Sequence, residues 1–561
     1  MSKQRCEISG EYFTVSPFER KLREQFGFSD LPTVDVPYRF RELGAFWPHW
    51  TLHRRECDKT GKSIISIFRP DCVFPVWDRK RWIAEADPPT ATFNAEEDFF
   101  SQAFRLFQRC PIPHTFQSHN ENCEFTDDFY HSRNCYLCHS SNNMEDGRYC
   151  YYCSDIKDSQ FCVYSLDCEL CCDATSSHNC YRATHVAYCR QVSDSAFLYD
   201  CRNCSYCMFC CNLRNKQYCF NNQQLTKEEY LAAQAEWNLT SRAVYDQARE
   251  HFQQMLQTQA WHRTQHNDMC EDSTGNYLSN CKNCEDCFIA PNHEDCVHDA
   301  ISGPNARTTL DSMGTIGSEL AFNTVMCVYC YQVRFSFELN ECRFCDYCMY
   351  CFNCKNCFGC CGLYGKEYCI FNKQYSASEY AEVRDSIIAH MQTTGEWGRF
   401  FPGHFAPNPY EESCSGFFFP ISTEEQQRLG FRTADPIYRE TGEAKSFKDV
   451  PDSVSELCSP GSQDLDSSMV DKLIGTVFWD AQANRPFNIT NEDIQNSLRQ
   501  QVPLPNCYYV SRIQELFRLI PFSGTLRETT CAKSGAVILT SWPAAFDGRI
   551  LSEEAYLDTV V

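Results

Sequence analysis

The stretch CVYSLDCELCCDATSSHNCYRATHVAYC, residues 162–189, places a small or apolar residue at every third position: Cys162, Ser165, Cys168, Cys171, Ala174, Ser177, Cys180, Ala183, Val186 and Cys189. Read backwards, the column continues through Ser159, Ile156, Cys153, Cys150, Gly147, Met144, Ser141 and Cys138 to Cys135. The other two phases carry most of the Asp, Asn, Arg, Lys and Tyr. A helix repeats at about 3.6 residues and a strand at about 2, so a lock on three fits neither. It predicts a coiled solenoid with one inward residue in three.

A solenoid must also show its coil length. Phe125, Leu137, Tyr149 and Phe161 recur every twelve residues, as do Asn143, Asp155, Asp167 and Asn179. Twelve per coil fits best, although fifteen or eighteen would keep the same phase. Asn or Asp directly before a column cysteine, as at Asn134, Asp167, Asn179, Asn203, Asn283, Asn353 and Asn356, suits tight corners because these residues tolerate left-handed backbone.

The chain has 41 cysteines, 33 of them between Cys123 and Cys369. Four readings compete: packing in a reduced core, disulfide rungs, zinc, and an iron-sulfur cluster. Ser, Ala, Val and Ile share the column, which favours packing. A C-x-x-C spacing is here a by-product of the period. The run Cys201, Cys204, Cys207, Cys210, Cys211 lacks the ferredoxin gap and proline.

The central region is duplicated. Cys201, Cys204, Cys207, Cys210, Cys211, Cys219 and Tyr230 return 150 residues later as Cys351, Cys354, Cys357, Cys360, Cys361, Cys369 and Tyr380. Upstream, His119 and Cys123 match His266 and Cys270 at an offset of 147. Capping boxes at Thr226–Glu229 and Ser376–Glu379 predict a helix after each block, the first a long one running to about Arg263. The ends of the chain mirror each other too, through C-x-x-[S/T]-G turns at Cys6, Cys57 and Cys531, with Asp480 standing 51 residues before Cys531 as Cys6 stands before Cys57. The resulting map is a terminal module at 1–85, a solenoid block at 114–224, a helix at 225–263, a second block at 264–374, a helix at 375–395, a linker at 396–474 and a second terminal module at 475–561. The fold class expected is mainly β: two cysteine-rich β-solenoid blocks, each closed by an α-helix, flanked by small α+β modules that resemble degenerate zinc ribbons.

A zinc ribbon needs four thiolates from two C-x-x-C turns, whereas here Ser9, Thr60 and Ser534 replace the second cysteine. Cys6, Cys57, Cys72 and Cys531 are the remaining metal candidates, with His49, His53, Asp480 and Cys507 able to fill in, and zinc is the one cofactor they fit. Loss of the second thiol in each turn favours modules held by their own cores, with Phe13, Ile65 and Phe68 as candidates.

A net charge of -23 excludes free nucleic acid as a partner. No apolar leader and no run of about 18 apolar residues is visible, so a cytoplasmic protein without a membrane span is expected. Catalytic signals are weak. Asp155, Asp158 and Asp167, with Arg182, His185 and Arg190 beside them, form a candidate glycan-cleaving patch, but charges on two phases of three are also what a solvated face requires. His114, His119, His262 and His266 flank the starts of the blocks, as turn-surface residues more often than as metal ligands. Tyr136, Tyr149, Tyr151, Tyr152, Tyr164, Tyr181 and Tyr188 form ladders that fit either structure or a bound partner or glycan.

The Asn-Cys-x-x-Cys rungs, the texts NKQYCFNN and CIFNKQYSASEY, the EWGRFFP run at Glu396–Pro402 and the paired terminal turns together resemble an uncharacterised cysteine-rich β-solenoid-like family of candidate-phyla (Patescibacteria-like) bacteria. The resemblance spans nearly the whole chain and implies no activity. It implies full C-x-x-C turns at the ends, from which this chain departs. The coil length is also similar to that of small insect antifreeze solenoids, without their Thr-x-Thr ladder. The function expected is a non-enzymatic structural or protein-interaction scaffold, acting through a protein partner or self-assembly. The alternatives are a metal- or thiol-handling protein and a glycan-active β-helix enzyme.

Overall fold

Parallel strands dominate the computed structural model, which describes residues 2–49, 51–433, 435, 444–445, 447, 450–459 and 464–560. A seven-stranded sheet runs from Gln160–Val163 to Gln223–Gln224, and a ten-stranded sheet from Gly275–Ser279 to Lys373–Gln374. Parallel partners lie twelve residues apart: Cys162 over Ala174, Ala174 over Val186, and in the second stack Val333 over Cys345 and Cys345 over Cys357.

Two steps of the second stack depart from twelve. Glu271 pairs with Lys282, eleven residues on, and Glu294 with Arg307, thirteen on. The two departures cancel, so Glu121, Lys157 and Gln217 keep counterparts at Glu271, Arg307 and Glu367, an offset of 150 at both ends. The textual match of Cys123 to Cys270 at 147 is therefore out of structural step. Ser273, whose hydroxyl donates to the Glu271 carbonyl, occupies the place of Cys123, whose thiol donates to that of Glu121.

The backbone explains the three-residue lock. Every third residue from His119 to Asn221 has a left-handed φ, between 46° and 58° for this run, and each stands just before a column residue. The position is not reserved for Asn and Asp: Leu137, Tyr149, Phe161, His185 and Phe197 adopt it as well. Left-handed backbone costs roughly 1–2 kcal/mol per non-glycine residue. It is offset because it turns each corner amide along the stack axis, as when Asn134 donates to the Glu121 carbonyl at 3.0 Å and Leu137 to that of Glu124 at 3.1 Å.

The column residues form the interior, and its chemistry explains why cysteine recurs there. Cys168 donates its S–H towards the carbonyls of Leu166 at 3.3 Å and Ser177 at 3.4 Å. Ser165 makes the same pair of contacts, to Val163 at 3.1 Å and Ala174 at 3.2 Å. Alanine would fill the volume but leave these acceptors without their second donor. A thiol is small, buries readily and still donates weakly.

The helices close and brace the stacks. Both capping boxes form, opening helices Lys227–Ala235 and Ala377–Thr394. The expected single helix over 225–263 is broken: Asn238 accepts from Thr240 through its side chain, and Ser241 caps a second helix, Arg242–Thr258. The described part of 396–474 is more than a linker. Phe400, Phe401, Phe405 and Tyr410 are buried in the core, which the Pro and Gly content of the region concealed. The rest of that segment's predicted linker, at 434, 436–443, 446, 448–449 and 460–463, lies outside the described residues.

The two chain ends carry the same elements in the same order. At the front are a hairpin (Ser2–Arg5, Tyr12–Val15), two helices (Pro17–Gln25, Val36–Gly44), a hairpin (His53–Glu56, Ser63–Ser66), strand Val76–Trp77 and helix Arg79–Glu85. At the back, hairpin Val477–Asp480 and Arg485–Asn488 leads to helices Asn491–Gln500 and Tyr509–Phe517, then hairpin Arg527–Thr530 and Val537–Thr540, strand Ile550–Leu551 and helix Glu553–Val560. Each end touches both stacks. Val76–Trp77 pairs with Ile112–Pro113, the lead-in to the first stack, while helix Val36–Gly44 packs on strand Arg307–Met313 of the second. Ile550–Leu551 pairs with His262–Arg263 before the second stack, while helix Tyr509–Phe517 packs on Gln160–Val163 of the first. No described helix is long and apolar enough to cross a membrane.

Candidate functional site

The stacks lie side by side and run in opposite directions. Tyr188 of the first meets Tyr277 at the start of the second, hydroxyl to hydroxyl at 2.7 Å, whereas Asp127 and Asp128 near the start of the first stand beside Glu338 late in the second. Between these ends opens a cavity of about 400 Å³. Its walls include Trp47, Asn142, Ile301, Ile316 and the rings of Tyr152 and Tyr164, which stack at 4.7 Å. Asp128 and Tyr130 line one end. There burial raises Asp127 to about 7, with Asp128 adding to the effect, and burial together with Asp127 and Asp128 holds Glu338 well above the carboxylate range. At the other end a smaller cavity of about 190 Å³ is lined by His178, Arg190, Arg202, Arg263, His266 and Asp268. Arg190 bonds Asp268 at 2.7 Å.

Two buried clasps hold the terminal modules to the stacks. Arg512 donates to both oxygens of Asp173 at 2.8 and 2.5 Å, Tyr245 adds its hydroxyl at 2.5 Å, and His185 stands 3.4 Å away. Arg39 donates to Asp311 at 2.6 and 2.7 Å and to Glu19 at 3.0 Å. Burial alone would raise Asp173, but Arg512 and His185 outweigh it and hold the carboxyl well below its usual range; Arg39 and His298 do the same for Asp311. Glu19, His298 and Asp311 have metal-ligand proximity, yet the Arg39 guanidinium already supplies the positive charge.

The four predicted metal candidates have separate partners. Cys57 accepts from the Asp78 amide at 3.3 Å, and Cys531 from those of Ser534 at 3.5 Å and Ser552 at 3.3 Å. Although burial raises both thiols, hydrogen bonds from Thr60 and Ser534 and nearby amides lower them, Cys531 to about 6. Cys6 is lowered in the same way through Ser9. Cys72 accepts from Arg55 at 3.0 Å. Asp480 takes amide hydrogens from Gln482, Ala483 and Tyr508. His49 bonds Tyr152 and His53 bonds Glu412, each at 2.8 Å, and Cys507 is pushed by burial to about 11.

Asp155 and Asp167 occupy the same corner on adjacent coils, while Asp158 stands at the next corner. Asp155 accepts from Ser154, while Asp158 is bonded to Arg499 of the C-terminal module. His185 is committed to Asp173. His114 accepts the Arg79 amide, His262 lies between Tyr199 and the Leu256 carbonyl, His266 stacks on Tyr188, and His119 stacks on His131. The twelve-residue set Phe125, Leu137, Tyr149 and Phe161 does assemble, along one wall of a cavity of about 650 Å³ facing Phe487 and Tyr508.

Among the described residues one further group combines three ligand types: the donor atoms of His293, Cys296 and Asp299 lie within 4.8 Å of one another, all buried. It was hidden in the sequence because the eleven-residue coil moves the second column off multiples of three after Cys270. H-x-x-C-x-x-D in the shifted phase is the signal that finds it. No protein-family model matches the chain, and no curated protein matches it.

Proposed function

We propose that the chain is a non-enzymatic scaffold: two β-solenoid blocks laid antiparallel and clamped by zinc-ribbon-like terminal modules into one rigid platform for a protein partner or further copies of itself. The observation that carries this reading is the crossed bracing, in which each module pairs with the lead-in to one stack and clasps the other through a buried arginine. The twelve-residue register and inward column support the solenoid geometry, and the C-x-x-[S/T]-G hairpin turns with amides aimed at sulfur support the ribbon likeness. A rigid body with a filled interior has the means to present surfaces and little means to close on a substrate.

A second reading, glycan binding or cleavage, is favoured by the inter-stack cavity, where stacked tyrosines and the raised Asp128 carboxyl line the wall, with Asp127 and Glu338 near Asp128. Incubating the protein with a panel of oligosaccharides and assaying reducing ends decides between them. The scaffold reading expects no release above that of an Asp127→Asn, Asp128→Asn, Glu338→Gln variant. Release that this variant abolishes would overturn it.

A further inference from the structure

The thirteen-residue step from Glu294 to Arg307 is the only one of its length in the described sheet pairings, and its extra residue lies in the corner Ile301–Ala306. That corner lies over His293. The ring's Nε2 is 3.0 Å from the Gly303 carbonyl. A carbonyl only accepts, so Nε2 carries the proton, and in the neutral ring Nδ1 is left with a lone pair. Nδ1 is buried and makes no hydrogen bond, although it lies 3.4 Å from the Asp299 carboxylate. A histidine whose second nitrogen is tied to a backbone carbonyl is oriented as metal-bound histidines are.

The other two donors face the same interior, where the Cys296 thiol donates to the Glu294 carbonyl at 3.3 Å and must exchange that bond for the ion. Asp299 is fully buried; Ser302 donates to one of its oxygens and Thr309 to the other at 2.8 Å. Cys296 sits between the two in the same inward column, fully buried, with Cys284 of the preceding coil in hydrogen-bonding contact with its thiol. Donors within 4.8 Å of one another need to close by only about 1 Å to meet a tetrahedral ion with bonds of about 2.0–2.3 Å, which side-chain rotation supplies.

We propose that His293 Nδ1, Cys296 Sγ and the Asp299 carboxylate form a structural zinc site inside the second stack, its fourth position taken by water or by Cys284. The mixed nitrogen, sulfur and oxygen set selects a borderline ion such as Zn²⁺ over the hard Mg²⁺ and Ca²⁺, which take oxygen ligands, and the soft Cu⁺, which prefers sulfur alone. Binding displaces the Cys296 proton to solvent. One thiolate and one carboxylate then neutralise the ion, which answers the buried charge of Asp299. The site is separate from the terminal turns and stands whether or not the scaffold reading does.

The test uses the full chain, reduced and stripped by chelator, titrated with Co²⁺ and then Zn²⁺. One equivalent of Co²⁺ is expected to give tetrahedral visible bands and a near-ultraviolet thiolate band, both erased by Zn²⁺. His293→Met with Cys296→Gly copies the Met144 and Gly147 pair at the corresponding coil of the first stack, so it should fold and lose both signals. Asp299→Asn, a milder change, should weaken binding at least about tenfold. A wild-type chain that takes up no Co²⁺ or Zn²⁺ would overturn the proposal, as would uptake that survives both variants but disappears in Cys57→Ser with Cys531→Ser.

Discussion

At corresponding coils the two stacks fill the same space in opposite ways. Arg133 donates to the Met144 carbonyl in the first stack, as Lys282 does to His293 in the second, both at 2.9 Å. In the first, Met144 lays its methyl where a side chain on Gly147 would be, since a Cβ there would fall 2.5 Å from it. In the second, His293 stands beside Cys296 and Asp299, and there alone among the described pairings does a coil gain a residue, which brings a carbonyl over the ring. An apolar interior tolerates strict repetition. The serines of the first stack find carbonyls within the twelve-residue register, whereas the longer histidine ring takes its carbonyl from the lengthened corner.

The largest difference between the stacks is expected at their clasps. Removing one partner of a buried ion pair costs about 3–5 kcal/mol, because the other charge is left stranded. Arg39→Ala takes the closest cation from two carboxylates, Glu19 and Asp311, leaving Asp311 with His298 at 3.2 Å and Arg23 at 3.9 Å, whereas Arg512→Ala takes it from Asp173 alone, with His185 and the Tyr245 hydroxyl still in place. Denaturant midpoints should therefore fall further for Arg39→Ala. Equal losses would mean that Glu19 is not engaged by Arg39. The pH dependence has a definite sign. Asp173 and Asp311 are depressed in the folded state, so their contribution is complete above the unfolded value of about 4 and is lost as pH falls below it. Wild-type stability should decline with acid below about pH 4, and Arg512→Ala should flatten that decline.

A smaller effect is expected inside the columns. Cys348 has Cys345, Cys351 and Cys360 as its thiol neighbours, and all are fully buried. In the first stack Cys171 has two thiol neighbours, Cys168 and Cys180, and lies in the coil below Ala183 and beside Ala174. Overpacking costs about 1–3 kcal/mol, so Cys348→Val should lie near the top of that range and Cys171→Val near the bottom. Cys348→Ser keeps a donor for the Asp346 carbonyl, which the thiol meets at 3.5 Å, as Ser165 does for Val163, and its cost should stay near 1 kcal/mol. Thermal unfolding of the three variants checks the order. A serine more damaging than valine would show that volume does not decide the column.

Much of this architecture was legible because it is local and periodic. The column from Cys135 to Cys189, the twelve-residue recurrence of Phe125 to Phe161 and the two capping boxes are written in consecutive residues. What escaped is non-local or aperiodic. Arg512 and Asp173 are 339 positions apart, and nothing in either neighbourhood announces the other. The facing of Tyr188 by Tyr277 depends on how whole stacks pack. His293 is hidden for a subtler reason: a coil one residue short moves the column, so multiples of three place His293, Cys296 and Asp299 on the surface. At the corners Asn and Asp mark left-handed backbone by preference, while Tyr149 and Phe161 adopt it under the force of the stack with no sequence signal.

The smallest expected effect separates preference from enforcement at those corners. Asn203 in the first stack and Asn280 in the second both have left-handed backbone, and each donates its side-chain amide to the asparagine one coil on, Asn215 at 2.7 Å and Asn292 at 3.1 Å. Alanine loses both the local tolerance and the ladder contact, so Asn203→Ala and Asn280→Ala should each cost about 1–2 kcal/mol. Glycine loses the ladder contact but adopts the backbone freely, and these ladders are exposed to water, so glycine variants should cost clearly less than alanine at the same site. Urea titration of the four variants resolves the two contributions. If glycine and alanine prove equal, the corners owe nothing to local preference and the inter-coil amides alone hold them, as they must already do at Tyr149 and Phe161.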